Sequence, residues 1–135
     1  MPRYLGLDLH KHYVHGYWFR PGQKGTHCRF PNTPDGWQQF LPQVTADTWV
    51  AMEATGNAFH VYDWLVARAG QVAVAPPLLL KRLGSGRHTD RVDAERLAKM
   101  LALGTLPTVW VPPAEVRAIR ALLQQADACT RTARA

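Results

Sequence analysis

Apolar positions along the chain switch between a two-residue and a helical period, and the switches divide it into elements. Residues 3–9, Arg-Tyr-Leu-Gly-Leu-Asp-Leu, alternate around apolar positions and predict a strand. His10-Lys11-His12 reads as a tight connection into a second strand over residues 13–19. Pro21-Gly22-Gln23-Lys24-Gly25 is a turn, and residues 26–30 return as a third strand. Three strands with such short connections make an antiparallel meander. Asn32-Thr33-Pro34-Asp35 starts a helix through about Val44 that Pro42 keeps short or irregular, with Trp37, Phe40 and Leu41 on one face.

The second half has a different rhythm. Residues 48–53 read as a buried strand, and Thr55-Gly56-Asn57 turns into a helix at about 58–69. Phe59, Tyr62, Leu65, Val66 and Ala69 supply its apolar stripe, and Gly70 stops it. Residues 71–75 form a short parallel-type strand, and Pro76-Pro77 opens a helical turn to about Leu83. After the Gly84-Ser85-Gly86 loop a helix runs from about Asp90 to Leu103 and ends at Gly104. Residues 108–111 are extended, and a last helix begins near Ala114. A meander followed by strand–helix–strand crossovers predicts an α/β fold: a mixed sheet with helices flanking it. Val116, Ile119, Leu122, Leu123 and Ala126 form a stripe on the last helix with nothing after it to cover it. That pattern predicts a fragment, or a helix that pairs with another chain.

The chain's 135 residues suffice for one domain with a real core, and a 47% hydrophobic content argues for a folded protein. The five Trp read as core more than as base-stacking platforms. No apolar run approaches a membrane span, and the N-terminus lacks the pattern of a signal peptide, so a cytoplasmic location is expected. Cys28 and Cys129 lie far apart, form no metal-like spacing and read as free thiols. The net charge of +6 is uneven: residues 1–80 hold six Lys and Arg against five acids, residues 81–135 ten against five. Such a field attracts nucleic acid and makes its binding salt-sensitive.

Against this background four carboxylates stand out. Asp8 interrupts the apolar run of the first strand, and Glu53 ends the run Trp49-Val50-Ala51-Met52. Asp90 and Asp93 open a helix and, three residues apart, point the same way. Charged groups on apolar strands are rarely buried unless paired or bound to a metal. In the predicted topology the ends of strands one and four lie side by side, and a following helix brings its first turn against both. A divalent-metal site for phosphodiester chemistry accounts for all four positions at once. Each residue also has a plainer reading: Asp8 on an edge strand, Glu53 capping a turn or paired with an Arg, Asp90 as N-cap with Asp93 in the first helical turn. Lys81, Arg82, Arg87, His88 and Arg91 surround the glycine loop as candidate phosphate contacts, and Lys11 lies close to Asp8. His10, His12 and His15 look like a metal cluster, but no Cys or further His lies at a matching spacing, so surface or nucleic-acid contacts are the preferred reading.

The segments Leu5-Gly6-Leu7-Asp8-Leu9-His10-Lys11, Met52-Glu53-Ala54-Thr55-Gly56 and Thr89-Asp90-Arg91-Val92-Asp93-Ala94 resemble the DEDD motifs of bacterial insertion-sequence transposases. The likeness spans about residues 3 to 125. It implies an RNase H-like fold similar to the RuvC resolvase, with Asp8, Glu53, Asp90 and Asp93 as catalytic residues and ligands of Mg²⁺, for which Mn²⁺ substitutes. It implies recombination of DNA directed by a structured noncoding RNA. It also implies a RuvC-like catalytic domain over residues 1–111, then the start of a helical connector over 112–135. In the family a further domain bearing a nucleophilic Ser follows, so a chain ending here is expected not to be fully active alone. Two other readings remain. One is a non-catalytic nucleic-acid-binding and oligomerisation module that tolerates Asp8→Asn. The other is an ATPase or sugar-kinase relative, disfavoured because no Gly-rich phosphate turn follows Asp8.

Overall fold

The computed structural model describes residues 2–83 and 89–134, with side chains through residue 126. Strands β1 (Arg3–Leu9), β2 (Tyr13–Phe19) and β3 (Thr26–Pro31) form the meander, each pairing antiparallel with the next. Helix α1 (Pro34–Phe40) and a 3-10 turn over Leu41–Gln43 lead to β4 (Thr48–Glu53), then α2 (Ala58–Val66) and β5 (Gln71–Ala75). A single turn of helix, α3 (Leu79–Arg82), precedes α4 (Asp90–Leu103) and the long α5 (Ala114–Arg134). The sheet order is β3-β2-β1-β4-β5, with β4 parallel to both β1 and β5. This is the mixed α/β sheet of an RNase H-like fold.

Side chains alternate across a strand, so each strand feeds both faces of the sheet. Leu5 and Leu7 of β1, Val14 and Trp18 of β2, Val50 and Met52 of β4 and Val74 of β5 build one core with Trp37 and Phe40 of α1 and Val61 and Leu65 of α2. Tyr4, Tyr17, Ala51, Ala73 and Ala75 build the other, under Ala94, Leu97, Ala98 and Leu101 of α4. Helix α4 lies almost on the backbone of β1: a Cβ on Gly6 would fall 2.0 Å from the Ala94 carbonyl oxygen. Only glycine permits that approach.

Several sequence expectations change. β1 is central in the sheet, so the edge-strand reading of Asp8 fails. The buried face of α2 is Ala58, Val61 and Leu65, while Phe59 and Val66 of the expected stripe are exposed. The helix ends at Val66, three residues early, with the Arg68 and Ala69 amides turning back to the Leu65 carbonyl. Pro42 does end α1 as a helix, within the 3-10 turn. Residues 108–111, read as extended, belong to no helix or strand, and the Val109 amide donates to the Val74 carbonyl at 2.8 Å. Of the five Trp, Trp18 and Trp37 are core but Trp64 and Trp110 are exposed. The stripe on α5 is uncovered as expected, with Ile119, Leu122 and Leu123 each more than half exposed. Cys28 is a free thiol.

Candidate metal centre

The same alternation that buries Leu7 turns Asp8 to the α4 side of the sheet, with Tyr4 and Gly6. The close approach at Gly6 sets α4 so that its first turn reaches the end of β1. Thr89 caps that helix, its hydroxyl accepting from the Val92 amide at 3.2 Å. Asp90 is therefore not the cap, and its carboxylate is released to face Asp8.

Between the two acids stands His10. Its Nε2 lies 2.8 Å from Asp8 Oδ2 and 3.0 Å from Asp90 Oδ1. The Tyr13 hydroxyl donates to the other Asp90 oxygen, Oδ2, at 2.6 Å. One donor atom from each of Asp8, His10 and Asp90 lies within 4.8 Å of the others, which makes them a set able to hold a cation. Burial pushes the Asp8 carboxyl up to about 6, against the pull of His10, and the charges of Asp93 and Asp90 push the same way as burial. Asp90 is shifted the other way: the Tyr13 hydroxyl, above all, holds it below the usual carboxylate range. A carboxylate raised by burial and by like charges is the electrostatic signature of a place that lacks positive charge.

The other two acids stand differently. Leu7 pairs with Met52 across the parallel β1–β4 ladder, so Asp8 and Glu53 each follow a matched residue and share a face. Glu53 Oε1 accepts the Leu80 amide at 3.1 Å, tying that oxygen to α3. Asp93 lies one turn beyond Asp90 and acts on Asp8 through its charge.

Beside this group, His15, the residue of β2 opposite Asp8, begins a second polar chain. His15 Nε2 lies 2.9 Å from His27 Nδ1, and His27 Nε2 lies 2.8 Å from Glu95 Oε1, which links β2 and β3 to α4. Sequence reasoning missed Tyr13, His27 and Glu95, because their partners come from distant elements. For His10 a signal existed: at two residues from Asp8 it continues the same face of the chain.

Among the basic candidates, Lys11, Lys81, Arg82 and Arg91 are exposed, while Arg87 and His88 lie outside the described residues. Lys11 borders a cleft of about 530 Å³ shared with His10, Asn32, Thr55 and Asn57.

A family model described as Transposase, that of the IS110-type DEDD enzymes, matches residues 5–135. The chain belongs to the IS110-type DEDD transposase family. It is also similar to a protein of Sinorhizobium fredii named as a transposase, y4qE, with 31% identity over 104 residues. That match covers 73% of this chain and 26% of the relative, so the matched region is about a quarter of the relative's length. The Asp8, His10 and Asp90 donors are of a kind that can hold a divalent ion. No helix among the described residues is long and apolar enough to cross a membrane.

Proposed function

We propose that this chain is the RuvC-like catalytic domain, residues 1–111, and the beginning of a helical connector, residues 112–135, of a Mg²⁺-dependent DNA recombinase. Asp8, Glu53, Asp90 and Asp93 are its acidic set, with Mn²⁺ able to substitute. The observation that supports it is the meeting of Asp8 and Asp90, from opposite ends of the domain, on one imidazole nitrogen of His10. A bound ion would polarise the scissile phosphate and stabilise the departing oxyanion. The chain's own contribution is geometric: β1 and β4 present Asp8 and Glu53 side by side, and α4 brings Asp90 and Asp93 from above. Lys11, Lys81, Arg82 and Arg91, with Arg87 and His88, hold the sugar–phosphate backbone without reading its sequence.

In the intact protein a structured noncoding RNA selects the target, and a Ser from a further domain is the nucleophile. The exposed Ile119, Leu122 and Leu123 on α5 make self-association of this helix part of the proposal.

The test is calorimetric titration of this chain with Mn²⁺ and Mg²⁺, beside Asp8→Asn and Asp90→Asn, with recombination measured in the intact protein. The wild-type chain binds the ion, each variant loses at least tenfold in affinity, and recombination is abolished. Unchanged ion binding in both variants, or wild-type recombination in either, removes the proposal.

A further inference from the structure

His10 is placed as a ligand is placed. In an octahedral site with bonds of about 2.1 Å, neighbouring ligand atoms are about 3.0 Å apart. The Nε2 separations of 2.8 Å and 3.0 Å from one oxygen each of Asp8 and Asp90 have that spacing. A cation that replaces the proton on Nε2 finds that nitrogen and one oxygen of each acid already at the spacing of neighbouring ligands, and the neutral imidazole then carries its proton on Nδ1.

The ring is also held where it stands. It stacks on Tyr13, with centroids 4.4 Å apart and planes within 17°. Its backbone amide donates to the Tyr13 carbonyl at 2.9 Å, and its own carbonyl accepts from Asn32 Nδ2 at 2.7 Å. Tyr13 is fixed in turn: its hydroxyl donates to Asp90, and the Arg29 guanidinium lies 3.8 Å from the centre of its ring. One aromatic residue thus braces both the imidazole and a carboxylate of the same donor set, as the groups behind metal ligands do.

We propose that His10 is a nitrogen ligand of the ion held by Asp8 and Asp90, braced by Tyr13, and that it biases the site toward Mn²⁺ and Zn²⁺ over Mg²⁺. This rests on the metal-site reading above and adds the identity of a further ligand and the class of ion it favours. Mg²⁺ prefers oxygen donors and gives up its water reluctantly; Mn²⁺, though also at home with oxygen, accepts a nitrogen more readily, and imidazole suits Zn²⁺ best of the three. A set made of carboxylates alone would lack this bias.

Electron spin-echo spectroscopy of the Mn²⁺-loaded chain reads the ligand directly, because a coordinated ¹⁴N modulates the echo. The wild-type chain shows ¹⁴N modulation and His10→Asn does not. In competition, the Mg²⁺ needed to displace Mn²⁺ falls by about tenfold in His10→Asn relative to wild type. Tyr13→Phe keeps the nitrogen signal but weakens Mn²⁺ binding by about tenfold, with its unfolding midpoint unchanged. Bound Mn²⁺ without ¹⁴N modulation in the wild type overturns the assignment of His10 and leaves the carboxylate site standing; modulation that survives His10→Asn does the same. Failure of the wild-type chain to bind Mn²⁺ at all overturns both readings. If His10→Asn proves unable to fold, His10→Gln takes its place, and modulation that survives it overturns the assignment in the same way.

Discussion

Asp8 has a cost that its neighbours only partly offset. Burial holds its carboxyl at about 6 instead of the ordinary 3.8, so across that interval the folded chain keeps a proton that the unfolded chain releases. Its favourable contribution is complete below 3.8 and is lost as the pH rises through 6. Asp90, held low by Tyr13, works in the opposite sense: its contribution is present above 3.8 and is lost as the solution becomes more acid than its lowered value. Urea unfolding in the presence of a chelator is expected to show stability falling from pH 4 to pH 6. Asp8→Asn flattens that fall and gains on the order of 2 kcal/mol at pH 8, once partial solvent screening is allowed for. A variant no more stable than wild type at pH 8 would show that Asp8 is not under strain. The acid itself was legible in the sequence as a charge inside Tyr-Leu-Gly-Leu-Asp-Leu, but only the central place of β1 removes the edge-strand explanation. Its partners were less so. Tyr13 lies 77 positions from Asp90, and no local pattern couples them.

At the level of elements, Gly6 governs how α4 meets the sheet. Gly6→Ala forces its methyl onto the Ala94 carbonyl, and the helix has to lift. The expected cost is about 2–4 kcal/mol in chemical denaturation, with a loss of Mn²⁺ affinity because Asp90 and Asp93 move with α4. Loss of stability with full ion affinity would mean that the helix position does not set the pocket. The strands, the meander and the start and end of α4 were readable, because alternation, the acids of the first turn and Gly104 after the last are local signals, although the cap is Thr89 and not Asp90. The face of α2 was misjudged for a physical reason. Counting large residues favoured Phe59 and Val66, yet the helix seats itself on the sheet through Ala58, Val61 and Leu65. Phe59 lines a cavity beside α5 instead, near Arg117, whose guanidinium donates to Asp63 at 2.6 Å.

For the whole molecule, the asymmetry of charge is the long-range property. Lys11, Lys81, Arg82 and Arg91 are exposed, and Lys11 and Arg91 directly follow His10 and Asp90 in the chain. Nucleic-acid binding is expected to weaken steeply with salt, and replacing any one of these four by Ala should reduce the logarithmic slope by about 1 if it touches a phosphate. Filter-binding at several salt concentrations measures this, and a flat response would remove the basic surface from the interface. Leu122→Glu on α5 is expected to convert a self-associated form to monomer in sedimentation while the pocket keeps its ion affinity; unchanged sedimentation from a self-associated wild type would count against this helix as the contact.

The packing of α4 against β1 also bears on when the protein becomes chemically competent. Gly6 and Asp8 meet their counterparts only after Asp90 and Ala94 have been synthesised, so the pocket closes late as the chain leaves the ribosome. A product of interrupted translation that stops before that helix would carry the acids of the sheet without the other half of the cage.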